Sequence, residues 1–144
     1  MESIANYMTA EHRKCDGLYA DFENAVLDKN REKSIEYFNR LAQDTERHLK
    51  KEEEILFPAF EQATGSQMGP TQVMRMEHTQ IRQMLSQIDA EIKQDNSKRI
   101  HGMLETLMIL FQQHNMKEEQ MLYPMTDRAL AAQSEDIINS MNKI

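Results

Sequence analysis

His48-Leu-Lys-Lys-Glu52-Glu-Glu-Ile-Leu-Phe-Pro58 and His114-Asn-Met-Lys-Glu118-Glu-Gln-Met-Leu-Tyr-Pro124 are two copies of one pattern. Each has a histidine, a glutamate pair four and five residues on, and then an apolar residue, leucine, an aromatic ring and proline. The second copy follows the first by 66 residues (114 − 48 = 66). On a helix, residues four apart lie one turn apart and about 40° around, so each His and its Glu aim into the same space, as two ligands of one metal ion would. The same shift carries His12 onto His78, Glu11 onto Glu77 and Met8 onto Met74. Four of the five histidines are paired by this one translation. His101 maps back onto Ile35, and at about 220° around its helix from His114 it is expected to face solvent.

Helical periodicity surrounds these motifs. Over residues 4–27, with Ser3 as a cap, Ala5, Met8, His12, Cys15, Tyr19, Phe22 and Val26 recur at steps of three and four. A polar turn, Asp28-Lys-Asn30, leads into residues 31–57 with the stripe Ile35, Phe38, Leu41, Thr45, His48, Glu52 and Ile55. Pro58 is expected to interrupt that helix, with Gly65 as a stop and Pro70 opening the next. Residues 70–94 repeat the first register with Thr71, Met74, His78, Ile81, Leu85, Ile88 and Ile92. After the turn Asp95-Asn-Ser97, residues 98–122 carry Ile100, Leu104, Leu107, Phe111, His114, Glu118 and Met121, and a short helix over about 128–142 ends the chain. Short turns make antiparallel neighbours. The expected fold class is therefore all-α: one domain over 1–144, an up-down-up-down four-helix bundle of two hairpins related by an approximate twofold axis.

Composition agrees. The chain of 144 residues has only 4 Gly and 3 Pro and no Trp, a mixture that favours helices over strands. A net charge of −7 argues against nucleic acid as a partner, because phosphate binding needs a basic surface. The sequence contains no apolar run of the roughly 18 residues a membrane span needs, and its N-terminus has no secretory pattern, so no membrane partner and a cytoplasmic location are expected. The single cysteine, Cys15, fits a reducing compartment.

His12, His48, Glu52, His78, His114 and Glu118 occupy stripe positions where Leu or Ile would otherwise pack. Burying an ionised carboxylate without a partner costs several kcal/mol, and burying two together costs more. A hydrogen-bonded layer of imidazole and carboxylate sharing protons is one way to compensate. Two divalent cations are the other, each Glu bridging both ions and two imidazoles completing each. The doubled pattern, in phase with the core stripes, favours the cations. Imidazole and carboxylate without thiolate suit iron, with manganese or zinc as substitutes, and a bridged pair inside a helical bundle is characteristic of di-iron chemistry. The ferritin-like arrangement uses Glu-x-x-His, the reverse order, on two helices.

In the order and spacing of His12, His48-x-x-x-Glu52, His78 and His114-x-x-x-Glu118, the chain resembles the hemerythrin-like, or HHE cation-binding, family over almost its whole length. The resemblance implies a non-heme di-iron centre bridged by Glu52, Glu118 and an oxo, hydroxo or water ligand, with the four histidines as terminal ligands. Oxygen-carrying members present His-x-x-x-His on the third helix, whereas here the residue four after His78 is Arg82 and its twin four after His12 is Asp16. Four His and two Glu are closer to the branch that resembles iron-sulfur-cluster repair and nitrosative-stress proteins.

The function this implies is redox activity in iron homeostasis, iron-centre repair or the response to nitric oxide or peroxide. Its partners would be a small diatomic or peroxide ligand and a redox protein or iron-sulfur client. Reversible binding of dioxygen or nitric oxide, as a sensor without turnover, is the alternative. Asp16 and Arg82 are expected to pair with each other or to orient ligands. Glu11, Glu53, Glu54, Glu77 and Glu119 are expected to be surface charge. Tyr7, Tyr19, Tyr123 and Cys15 are possible redox neighbours, with Tyr19 and Cys15 placed by core packing.

Overall fold

In a computed structural model, which describes residues 2–144, the stripes become four long helices packed in antiparallel pairs, with no strand among the described residues. Helices α1 (Ile4–Leu27) and α2 (Arg31–Lys51) form one hairpin, and α4 (Pro70–Lys93) and α5 (Ser97–Lys117) the other. The hairpins meet with α1 against α5 and α2 against α4. Side-chain caps begin three of these helices. Ser3, Asn30 and Asn96 accept from the backbone N–H of Asn6, Lys33 and Arg99, so each satisfies a donor that the first helical turn leaves open. Both hairpin turns pass through one residue in the left-handed region, Lys29 (φ 56°) and its twin Asp95 (φ 54°).

The helix carrying the first motif does not stop at Pro58. After α2 comes a wide π turn, Glu52–Leu56, in which the Phe57 N–H donates to the carbonyl of Glu52 five residues back, and then α3 (Phe57–Thr64). The second motif repeats this: a π turn over Glu118–Leu122, with Tyr123 donating to the carbonyl of Glu118, and then α6 (Tyr123–Ala129). Proline lacks an N–H, and its ring crowds the preceding turn, so a wide turn just before it lets the helix continue. The interruption expected at Pro58 is thereby moved to Gly65, whose left-handed φ of 73° ends α3.

Each π turn also inserts a residue and rotates the helix beyond it. Met121, expected in the core stripe, is 65% exposed, and Ile55 is only half-buried; Leu56, Phe57, Leu122 and Tyr123 are buried instead. A single 3₁₀ turn (Ala131–Gln133) then leads to α7 (Ser134–Met141).

Two apolar clusters result. One fills the bundle with Tyr19, Phe22, Phe38, Leu41, Ile81, Ile88, Leu104 and Leu107. The other unites Ile4, Met8, Leu56, Phe57, Leu122 and Tyr123 with Leu130, just after α6, and Ile137 and Met141 from α7. The polar layer of His and Glu belongs to neither cluster. None of the described helices is long and apolar enough to cross a membrane.

Candidate metal centre

All six predicted residues meet in that layer, and all are buried, Glu52, His78 and Glu118 completely. Donor atoms of His12, His48 and Glu118 lie within 4.8 Å of one another, as do those of Glu52, His78, His114 and Glu118. Glu118 thus belongs to both groups. Glu52 reaches both as well, its Oε1 lying 3.0 Å from His78 Nε2 and 3.6 Å from His48 Nε2. His101 is exposed, as expected.

The orientation of each imidazole is fixed from outside. Nδ1 of His12 faces Glu119 at 2.7 Å, that of His48 faces Glu11 at 2.8 Å, that of His78 faces Glu53 at 2.6 Å, and that of His114 faces Glu77 at 2.9 Å. A carboxylate accepts, so in each dyad Nδ1 carries the proton and Nε2 is turned inward. Every one of these carboxylates comes from a neighbouring helix, which is why a reading helix by helix assigns them to the surface. Glu54 alone of that group is exposed. The signal was present in the 66-residue shift, which maps Glu11 onto Glu77 and Glu53 onto Glu119.

Cations hold the outer carboxylates in turn. Lys51 pairs with Glu11 and its twin Lys117 with Glu77; Arg13 pairs with Glu119, and Arg82 holds Glu53 (2.8 Å) and Glu46 (2.9 Å) together. Burial works against ionisation of Glu11, Glu53 and Glu77, but hydrogen bonds from these imidazoles and cations hold all three carboxyls below the usual range. Arg82 therefore orients His78 through Glu53 and does not pair with Asp16, which accepts from Arg13. Removing such an outer partner typically weakens metal binding about 10- to 100-fold. Arg82→Leu, which leaves Glu53 in place, should fall near tenfold in a competition titration with a chromophoric chelator. Unchanged affinity would remove Arg82 from the centre.

The difference between Arg82 and Asp16 leaves the two sides of the bundle unequal. Between α1 and α5 a groove of about 370 Å³ opens, lined among others by Arg13, Asp16, Phe111, Asn115 and Glu119. Glu119 is also the carboxylate on His12, so one side chain spans from the groove to the polar layer.

Inside the layer the hydrogen bonding does not close. Glu52 Oε1, His78 Nε2, His114 Nε2 and Glu118 Oε2 are buried without a partner. The 3.0 Å approach of His78 Nε2 to Glu52 Oε1 is no hydrogen bond, because with Nδ1 protonated two lone pairs face each other. A metal ion between them would satisfy both atoms. Burial disfavours charge on His48 and His114, but the facing carboxylates win, raising both and taking His114 to about 9. Burial and the neighbouring Glu118 push the Glu52 carboxyl up. The two groups of donors are consistent with a pair of cations, which would replace protons held there.

The pH dependence has a definite sign. A histidine raised above its unfolded value of about 6.5 lends stability that is complete below that pH and is lost as pH climbs through about 9. The ion-free protein should therefore melt lower at pH 9.5 than at pH 6.5. Metal affinity should rise over the same window, with protons released on uptake. Calorimetry in buffers of different ionisation heat measures that release; no released protons at pH 7 would contradict protonated imidazoles in the layer.

Tyr123 also belongs to the layer. Its hydroxyl lies 2.7 Å from Glu52 Oε2 and 2.9 Å from Glu118 Oε1. Burial and both carboxylates keep that hydroxyl protonated, well above the usual range. The other possible redox neighbours have structural roles: Tyr19 donates to the Leu104 carbonyl at 2.7 Å, and Tyr7 donates to Asn142 while accepting from Lys51. Burial pushes the Cys15 thiol up to about 11, which leaves it unreactive at neutral pH.

Comparison with known proteins agrees with this geometry. The model described as "Hemerythrin HHE cation binding domain" matches residues 3–126. A stretch of 53 residues is 45% identical to the iron-sulfur cluster repair protein YtfE of Citrobacter koseri and 43% identical to that of Escherichia coli K12, covering 36% of this chain. The match spans about a quarter, 24%, of the length of those relatives. No solved structure matches the chain.

Proposed function

The chain belongs to the hemerythrin HHE cation-binding domain family, and from that premise we propose that it holds two iron ions and works as a redox-active protein of iron-centre repair, iron homeostasis or the response to nitric oxide or peroxide. The observation that carries this reading is the convergence of four imidazole Nε2 atoms on two buried carboxylates whose own hydrogen bonding is incomplete. His12 and His48 would hold one ion, His78 and His114 the other, and Glu52 and Glu118 would be shared between them. Nitrogen and oxygen donors without thiolate suit iron, and manganese or zinc can substitute. A pair of iron ions supplies one-electron redox steps and positions open to a small ligand.

The remaining work falls to the protein. Four outer carboxylates set the imidazole tautomers, the apolar clusters on either side of the layer exclude water, and Glu119 joins the groove to the His12 side. Repair is favoured over reversible carriage by the partial likeness to the repair proteins and by the four-His, two-Glu set. The test is iron analysis of the protein followed by anaerobic reduction and exposure to nitric oxide or peroxide. About two irons per chain with net consumption of the oxidant supports the proposal. Repeated ligand cycling with unchanged spectra would replace it by a sensor, and protein that takes up no iron would end it.

A further inference from the structure

The two halves of the layer differ at one aromatic residue. Tyr123 and Phe57 are twins in the repeat (123 − 66 = 57), and each ring packs on the equivalent histidine: Tyr123 lies 5.5 Å from His12 and Phe57 lies 5.6 Å from His78. Only the first carries a hydroxyl. Its oxygen sits among four ligand atoms, 2.7 Å from Glu52 Oε2, 2.9 Å from Glu118 Oε1, 3.2 Å from His12 Nε2 and 3.4 Å from His48 Nε2.

One hydroxyl proton cannot serve four acceptors. The phenol's own hydrogen bonding therefore accounts for only part of this crowding. Donor atoms that share a metal ion, each about 2.1 Å from it, are about 3 Å apart when adjacent. The separations of the phenol oxygen from its four neighbours scatter around that value. His12 Nε2 to His48 Nε2 and His12 Nε2 to Glu118 Oε1, both 3.1 Å, belong to the same set.

We infer that Tyr123 is a ligand of the ion held by His12 and His48, through its phenol oxygen, and that the two ions are consequently unequal. This rests on the di-metal reading of the layer. The first ion receives two imidazoles, two carboxylates and a phenolate. The second receives two imidazoles and the same carboxylates, with the hydrocarbon ring of Phe57 where the phenol would be. A small ligand therefore binds the ion held by His78 and His114. On coordination the phenol proton is released to solvent, and the oxygen's charge goes to the cation. Ferric iron, a hard Lewis acid, is suited to such an oxygen donor.

A phenolate bound to ferric iron gives a visible charge-transfer absorption, which imidazole and carboxylate do not. The experiment loads wild-type protein and Tyr123→Phe with ferric iron and records iron per chain, the visible spectrum, and resonance Raman scattering excited within the band. Wild-type protein is expected to show the band and phenolate ring modes, and Tyr123→Phe to lose both while keeping two irons. The substitution removes one oxygen and reproduces the residue already found at position 57. Two irons in wild-type protein without phenolate modes would overturn the inference and leave the di-iron reading standing, as would the same band persisting in Tyr123→Phe. Wild-type protein that binds no iron would overturn both. Should the variant bind no iron, the Raman spectrum of the wild type still decides.

Discussion

Glu118→Ala is expected to abolish retention of both ions, where removal of any one histidine weakens chiefly its own half. Glu118 is completely buried and its oxygens belong to both donor groups, 3.1 Å from His12 Nε2 and 3.3 Å from His114 Nε2. Outer partners of a ligand are worth about 10- to 100-fold in affinity, so loss of a carboxylate that belongs to both donor groups should exceed the upper end. Glu52→Ala should behave alike, because Glu52 also reaches histidines of both halves. His78→Ala removes Nε2 from one group only and should leave protein with close to one ion per chain. Equilibrium dialysis followed by elemental analysis separates these cases. Retention of two ions by Glu118→Ala would show that the carboxylate bridges nothing.

Duplication is what makes the candidate site legible in the sequence. His12 alone is a histidine in a stripe, and His48 with Glu52 is a chance pair in a Glu-rich chain. A translation that superposes both on second copies turns them into a constellation. The outer carboxylates were hidden for a physical reason. Glu53 lies about 100° around the helix from Glu52 and cannot share its direction, yet it need not, because its partner His78 stands on another helix. The π turns hid the rest. Reading the stripe at 3.6 residues per turn carries it to Met121, whereas the inserted residue brings Tyr123 to the interior and leaves Met121 in solvent. Pro58 and Pro124, which look like stops, are where the helix widens and goes on.

Stripping the ions from loaded protein should lower its melting temperature substantially. Binding to the folded state alone contributes about 2.7 kcal/mol for each ion at a free concentration 100-fold above its Kd, or about 5 kcal/mol for the pair. At roughly 2–4 °C per kcal/mol for a chain of this size, that is a shift of about 10–20 °C. The ion-free chain should still fold, because the apolar clusters remain and imidazoles raised by the facing carboxylates partly offset the buried charge. Calorimetric scans with and without chelator, on samples of known metal content, give the shift. Removal of the ions with no change in melting would mean that the layer satisfies itself.

Crystals of iron-loaded protein, measured on both sides of the iron absorption edge, locate the ions without reference to any assumed ligand. Two anomalous peaks are expected within the polar layer, one about 2 Å from the Nε2 atoms of His12 and His48, the other equally close to those of His78 and His114, with Glu52 and Glu118 touching both. A layer without anomalous density, or iron only on the protein surface, would contradict the assignment of these six side chains as ligands.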